Sequence, residues 1–389
     1  MRKVRLKDIG TFYSGLSGKS KKDFSDGNAL LATYRNIFNN PVLNLDIKDT
    51  VVIGNGEKQN EVMYGDILFT GSSETPEEAG MSSVVMSEPK EKIYLNSFCF
   101  GFRLNNIIEV LPSYMGHLLR SEPVRKAISK TAFGVTRFNI NKNFLSEIEI
   151  PLPPLTIQRE IVSVLDSFTT LIDKMKQEVE LRKKQMEYYR EKLICEQNYP
   201  LKSIGKIGEI DRGSGLQKKD FTESGIGCIH YGQIYTRLNS FCDKTLTFVT
   251  PKLAERLTKV HPGDLIIACT SENIEDVCKS VVWLGEEDIV TGGHACVLRH
   301  KDNPKYISYC FQTADFALQK AQFAYGAKVI DIKTDNIKKI SIPIPPLSTQ
   351  RSIVSTLDSF EQYISKLERL ITLREKQYAY YREKLLTFE

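Results

Sequence analysis

The sequence predicts an α+β protein in which two mixed α and β globules alternate with two long helices. Three observations predict it. The chain repeats itself at an offset of 192 residues, each copy carries a proline-rich stop, and a long apolar stripe of helical period follows each stop. Pro151 to Phe168 (PLPPLTIQREIVSVLDSF) matches Pro343 to Phe360 (PIPPLSTQRSIVSTLDSF) at 13 of 18 positions. Leu181 to Leu193 (LRKKQMEYYREKL) matches Leu373 to Leu385 (LREKQYAYYREKL) at 10 of 13. Ahead of these blocks only landmarks repeat. Leu6, Lys7, Ile9 and Gly10 answer Leu201, Lys202, Ile204 and Gly205, and Lys21 to Phe24 answer Lys218 to Phe221. Tyr34, Asn36, Ile37 and Phe38 answer Tyr231, Gln233, Ile234 and Tyr235, and Gly65-Asp66 answers Gly263-Asp264.

The elements follow in chain order as 1–155, a globule; 156–197, a helix; 198–347, a second globule; and 348–389, a second helix. Within the globules, short apolar runs between Gly, Asn and Asp turns predict strands at Asp66 to Thr70, Ser83 to Met86, Asp264 to Cys269 and Ser280 to Leu284. Leu111 to Lys130 and Pro304 to Phe323 carry apolar residues at helical spacing and predict helices of roughly five turns each. In the first long helix the seam is Ile161, Leu165, Phe168, Ile172, Met175, Val179, Met186, Tyr189 and Leu193. Its counterpart is Ile353, Leu357, Phe360, Ile364, Leu367, Ile371, Tyr378, Tyr381 and Leu385, and Arg182 and Arg374 occupy the same missed step. Some 33 residues at 1.5 Å each reach about 50 Å. A stripe of that length needs a partner of similar length, and the other copy is the obvious one.

Composition bounds the function. At 389 residues the chain has room for two to three domains, and 41% hydrophobic with 26% charged residues is the balance of a folded protein, not of a disordered or collagen-like one. Arg2, Lys3, Arg5, Lys7 and Asp8 interrupt the opening residues, so no signal peptide is expected there. No apolar run approaches the roughly 18 residues of a membrane span. The eight cysteines form no CxxC pair, and free thiols in a reducing cytoplasm are expected. The formal charge is +5, and each globule holds 19 basic against 17 acidic residues. That is weak beside the footprint typical of nucleic-acid binders, so positive residues must cluster or partners must supply phosphate contacts.

The twin globules, the Pro-Pro-Leu stops and the Gln-Arg-x-Ile-Val-Ser-x-Leu-Asp helices resemble the specificity subunits of type I restriction-modification enzymes, over essentially the whole chain. The resemblance implies two target recognition domains related by a pseudo-twofold repeat, each reading one half of a split, asymmetric duplex DNA sequence. It also implies that the helices pair as an antiparallel coiled coil on which two methyltransferase subunits dock, with two restriction subunits as further partners in some systems. S-adenosylmethionine and ATP with magnesium would then belong to those partners, and this chain would carry no catalytic residue, metal or cofactor. The sequence departs from the family where a Gly-rich turn is expected after the Gly-Asp strand: Gly71 to Pro76 and Thr270 to Glu275 stand there instead. Independently, two similar but non-identical globules suit a split ligand, and a 50 Å spacer at 3.4 Å per base pair bounds the half-site separation at roughly 14 base pairs.

Candidate contacts lie near the landmarks. Lys19, Lys21, Lys22, Lys218 and Lys219 are expected to meet phosphates. Tyr34, Arg35, Asn36 and Asn39, with Tyr231, Gln233, Tyr235 and Arg237, supply amide and guanidinium groups suited to adenine and guanine edges. Arg137, Asn139, Asn141 and Lys142, opposite Lys328, Lys333 and Asn336, sit in loops just before the Pro stops. Tyr188 and Tyr380 lie beside the seams and are expected to face a partner. Two rival readings compete with this one. Gly18-Lys19-Ser20 looks like the end of a phosphate-binding loop, but Tyr13 stands where its first glycine belongs. A coiled-coil scaffold without nucleic acid explains the helices and leaves the two globules unexplained.

Overall fold

Proline pairs end one kind of structure and start another, because proline lacks the donor a strand ladder needs yet suits the first turn of a helix. The computed structural model describes residues 2–213 and 215–388. Strands Glu149–Leu152 and Ser341–Pro343 stop at the two proline pairs, and helices Leu155–Ile194 and Leu347–Leu386 follow, 40 residues each. At 1.5 Å per residue each is about 60 Å long, longer than the 33-residue seam alone suggested.

The chain divides into two compact units. One takes the chain up to Lys176 and resumes at Arg369, and the other is Gln177–Glu368. Each unit therefore draws on both long helices. In the first unit Phe168 stacks on Tyr381 with centroids 5.5 Å apart, and Lys176 pairs with Glu375 at 2.8 Å. In the second, Tyr189 stacks on Phe360 at 5.5 Å, and Lys183 pairs with Glu368 at 3.0 Å. Residue numbers rise on one helix as they fall on the other, so the pairing is antiparallel. Ile161, Leu165, Ile172, Val179 and Met186, with Ile353, Leu357, Ile364, Leu367 and Ile371, are buried along the seam. Arg182 and Arg374, at the missed step, turn to Gln185 and Gln377 at 2.7 Å each.

The two globules share one plan. In the first, an antiparallel sheet runs Gly10–Ser14, Cys99–Leu104, Ile67–Thr70, Ser82–Val84, beside a smaller sheet of Thr50–Val51, Ala29–Ala32 and Ile93–Leu95. In the second, the corresponding order is Gly208–Arg212, Ala295–His300, Leu265–Ala268, Ser280–Trp283, with Phe241–Cys242 added at the edge. Ile67–Thr70 and Leu265–Ala268 are buried throughout, which is why they read as unbroken apolar runs. The Gly-Asp landmark is the turn into these strands. Gly65 and Gly263 take φ of +81° and +92°, and the following carboxylates accept from the Met63 and His261 amides at 2.9 and 2.8 Å. Buried Asp66 is also held by Arg103 through Nε at 2.8 Å and Nη2 at 2.7 Å.

The expected five-turn helices are each broken in two. Pro112–Leu118 is followed by Glu122–Ser129, and Pro304–Cys310 by Ala314–Phe323. The breaks have a local cause: Pro123 lies in the first turn of one new helix, and Thr313 caps the other by accepting from Phe316 N. The predicted strands are present with ends shifted by one or two residues.

A buried glutamine near the start of each long helix ties it to its globule. Gln158 is fully buried; its Oε1 accepts from Leu111 N at 2.9 Å, and its Nε2 donates to the carbonyls of Glu109 and Pro153, each at 2.9 Å. Gln350 repeats this with Asn303 N, Asp302 Oδ1 and the Pro345 carbonyl. Replacing Gln158 or Gln350 by Leu strands these buried groups at a cost of about 1–3 kcal/mol each. Thermal unfolding should show a clearly lowered midpoint for either variant; a wild-type midpoint would show that the amide fastens nothing.

Candidate nucleic-acid interface

A hairpin tightened by glycine stands at the same place in both units. In the first, Ala132–Phe133 pairs with Phe138–Ile140, which pairs in turn with Ser72–Ser73. In the second, Tyr325 bridges Asp331, and Ile330–Asp331 pairs with Thr270–Ser271. Gly134 and Gly326 have φ of +140° and +122°, and a Cβ on either would lie 2.0 or 1.9 Å from the carbonyl oxygen three residues on, that of Arg137 or Val329. Only glycine fits either turn.

The strand that completes each hairpin opens a loop with a shared skeleton. Ser73-Glu74 and Ser271-Glu272 stand 198 residues apart, and Glu77 answers Glu275 at the same offset. Each loop closes on a left-handed residue, Gly80 at φ +68° and Cys278 at φ +64°. A cation clamps each loop from the neighbouring helix, half-buried in the first unit and buried in the second. Arg125 donates to the carbonyls of Glu77, Ala79 and Gly80, and Lys320 to those of Glu275 and Val277 at 2.8 and 2.7 Å. Burial pulls the Arg125 pKa down to about 10 and lowers that of Lys320.

Around this skeleton the units differ. In the first, a cavity of about 600 Å³ is lined by Tyr34, Phe38, Ser72, Glu74, Phe98 and Arg137, so the structure brings together two candidates a hundred residues apart in sequence. Arg137 donates from Nε to Ser72 Oγ at 2.9 Å, and its guanidinium lies 5.0 Å from the Phe98 ring centroid. In the second, Tyr231 packs edge-on to His294 at 5.0 Å, and Thr270 Oγ1 lies 3.1 Å from His294 Nδ1 and 2.9 Å from Asp331 Oδ2. Tyr325 donates to Asp331 at 3.1 Å, and Lys333 Nζ lies 5.9 Å from the Tyr325 ring.

Several expected contacts are spent inside the fold. Lys19 donates to Glu57 and to the Val52 carbonyl, both at 2.6 Å, and this ammonium is the main reason the Glu57 carboxyl falls to about 2. That also removes the phosphate-loop reading of Gly18-Lys19-Ser20. Asn36 accepts from Asn44 N and Asn40 Nδ2 and donates to the Asn44 carbonyl, so its amide shapes a loop. Gln233 is buried between His230 N and Thr247 Oγ1, and Asn141 caps helix Lys142–Ser146. Lys142 leans on Phe100 and Ser14, and burial lowers its pKa. Tyr34, Arg35 and Asn39 lie on a short helix, Tyr34–Asn39, and Tyr231 and Tyr235 on its counterpart Tyr231–Thr236. Arg35, Asn39, Arg137, Asn139, Arg237 and Lys328 are exposed, as are Lys21, Lys22, Lys218 and Lys219 on short 3-10 turns. Sequence reasoning missed Phe98, Arg125, Lys320 and the twin Ser-Glu loops. The repeated Ser-Glu-x-x-Glu at an offset of 198 was the signal that could have found the loops.

On the long helices Tyr188 and Tyr380 are 55% and 59% exposed, with Lys192 and Lys384 ammonium groups 5.5 and 5.8 Å from their ring centroids. Near them Glu191 and Glu383 each accept a backbone N–H at 2.9 Å, from Ala314 and Glu122 respectively. Among the described residues no cluster of side chains could hold a metal ion, and no helix is long and apolar enough to cross a membrane.

The model of the type I restriction modification DNA specificity domain matches residues 1–181 and again 196–375. The chain therefore belongs to that family, and within type I restriction-modification it is a specificity subunit, the non-catalytic component. A putative specificity subunit from Haemophilus influenzae is 29% identical over 276 residues, 66% of this chain and 68% of the relative. The specificity subunit of an Escherichia coli type I enzyme is 28% identical over 260 residues, 62% of this chain and 64% of the relative. The aligned stretches thus span about two thirds of those relatives. Two solved structures share the fold. One, from a study of complex assembly and conformational transition in the type I system, has a TM-score of 0.60 at 17% identity and covers 99% of this chain and 96% of its own. The S subunit from M. genitalium has a TM-score of 0.55 at 12% identity, covering 100% and 96%.

Arg125→Met and Lys320→Met each leave loop carbonyls without their donor, at about 1–3 kcal/mol per stranded group. Amide exchange in 74–80 of the first variant and 272–278 of the second should accelerate at least tenfold while the central strands stay protected. Unchanged exchange would show that the cations do not hold the loops.

Proposed function

We propose that this subunit reads a bipartite, asymmetric sequence in duplex DNA, one unit per half-site, and carries two methyltransferase subunits on its helices. The observation that carries the reading is the repeated scaffold. Both units set a glycine hairpin, a Ser-Glu loop and a short aromatic helix in the same arrangement, and differ in the side chains these display. Such a pair suits two half-sites of different sequence. Tyr34, Arg35, Asn39, Arg137, Asn139, Tyr231, Tyr235, Arg237, Lys328 and Lys333 remain the candidates for the DNA face, with Lys21, Lys22, Lys218 and Lys219 for phosphates. The chemistry is then the partners': methyl transfer from S-adenosylmethionine, and ATP with magnesium for restriction subunits where the system includes them. Such a complex works on cytoplasmic DNA.

Methylome sequencing of the host with and without the gene tests this. A split, asymmetric methylated motif should vanish on deletion; an unchanged methylome would refute the reading. The docking face has its own test. Tyr188→Glu with Tyr380→Glu should reduce the methyltransferase bound per subunit on native mass spectrometry while the isolated chain keeps its melting temperature. Wild-type stoichiometry in the double variant would place the docking surface elsewhere.

A further inference from the structure

The two hairpins have the same backbone and different tips, and that difference carries chemistry. Gly134 and Gly326 fix the turn so that Arg137 and Val329 hold equivalent positions, each three residues on and each just before the strand that pairs with Ser72–Ser73 or Thr270–Ser271. Both side chains are exposed, Val329 to 56%. Arg137 is also pre-set. Its Nε donates to Ser72 Oγ and its guanidinium rests near Phe98, while Nη1 and Nη2 have no acceptor among the described residues. A guanidinium oriented through Nε presents its other end as a two-pronged donor, the group that pairs with O6 and N7 of guanine in a major groove. Val329 offers no hydrogen bond. An exposed branched apolar side chain at the same position fits the thymine methyl, the one apolar group on a base edge in that groove.

Resting on the proposed DNA-reading function, we infer that these tips set base identity in each half-site: Arg137 reads a guanine in one, and Val329 meets a thymine methyl at the equivalent place in the other. The shared loops, held by Arg125 and Lys320, position the tips and are common to both halves. Specificity then changes at one exposed residue per unit without disturbing the scaffold.

The test uses the full chain in complex with its methyltransferase, and duplexes carrying every base at every position of the methylated motif. For the wild-type complex, one guanine in one half-site and one thymine in the other should each be preferred roughly tenfold or more over other bases. Arg137→Ala should abolish the guanine preference and leave every position of the other half unchanged. Val329→Arg should replace the thymine preference by a guanine preference. Uniform weakening across all duplexes in Arg137→Ala, whether modest or complete, would make Arg137 a phosphate or structural residue and overturn the inference. So would preferences unchanged in either variant. Should the wild-type complex show no sequence preference at all, the DNA-reading function itself fails, which is a distinguishable result.

Discussion

The junction between each globule and its long helix is built around one buried side-chain amide in each copy of the repeat. Gln158 and Gln350 are fully buried, and each makes three hydrogen bonds to groups at the base of its globule. A buried amide with both ends satisfied tolerates little displacement, because a shift strands a donor or acceptor away from water. The globule is thus held to the helix by directional bonds, where apolar contact alone would permit sliding. Around that fixed point the aligned features collect. Tyr114 and Tyr306 donate to the carbonyls of Pro151 and Pro343 at 3.0 and 2.9 Å, and Asp166 and Asp358 of the long helices take partners from the globules, His117 in one and Lys305 and Tyr309 in the other.

This explains which parts of the sequence repeat closely and which drift. The stop and the helix start repeat because they must present the same amide to one backbone N–H of the globule and to the carbonyl of the first proline of the pair. The remaining acceptor differs, the Glu109 carbonyl in one copy and the Asp302 carboxylate in the other. The surface of each globule is free to change provided a few backbone devices survive, namely the Gly-Asp turn, the hairpin glycine and the left-handed residue that closes the Ser-Glu loop. Cys278 stands where the first unit has Gly80, at nearly the same φ. The device is therefore the backbone conformation, and the residue that supplies it is secondary. The clamps differ likewise: Arg125 comes from one turn of its helix and Lys320 from another turn of the corresponding helix, yet each ends on the carbonyls of its own unit's Ser-Glu loop.

The long helices, their pairing and the repeat were legible in the sequence because period and identity are local signals. The antiparallel sense came from the family resemblance, and the aromatic stacks Phe168–Tyr381 and Tyr189–Phe360 show it physically. Less of the candidate site was legible. Lys19, Asn36, Gln233 and Asn141 have the right chemistry for nucleic acid, but nothing local reveals that Glu57, Asn44, Thr247 and the helix at Lys142 claim their polar groups. Arg137 was singled out only as one of several loop residues. What distinguishes it is contact with Ser72 and Phe98, residues 65 and 39 positions away, and no pattern along the chain encodes that. The breaks near Ser121 and Thr313 were masked by apolar spacing that continues across them.

In the proposed function each unit specifies one half of a DNA sequence, and the helices and their glutamine fastenings are common machinery. The most direct measurement exchanges residues 1–155 for the corresponding domain of a specificity subunit with a different target, and reads the methylated motif of the host by single-molecule sequencing. The expected result is a hybrid motif, with one half-site replaced by that of the donor and the other retained. An active hybrid complex that methylates the original motif in full, or one altered in both halves, would contradict it.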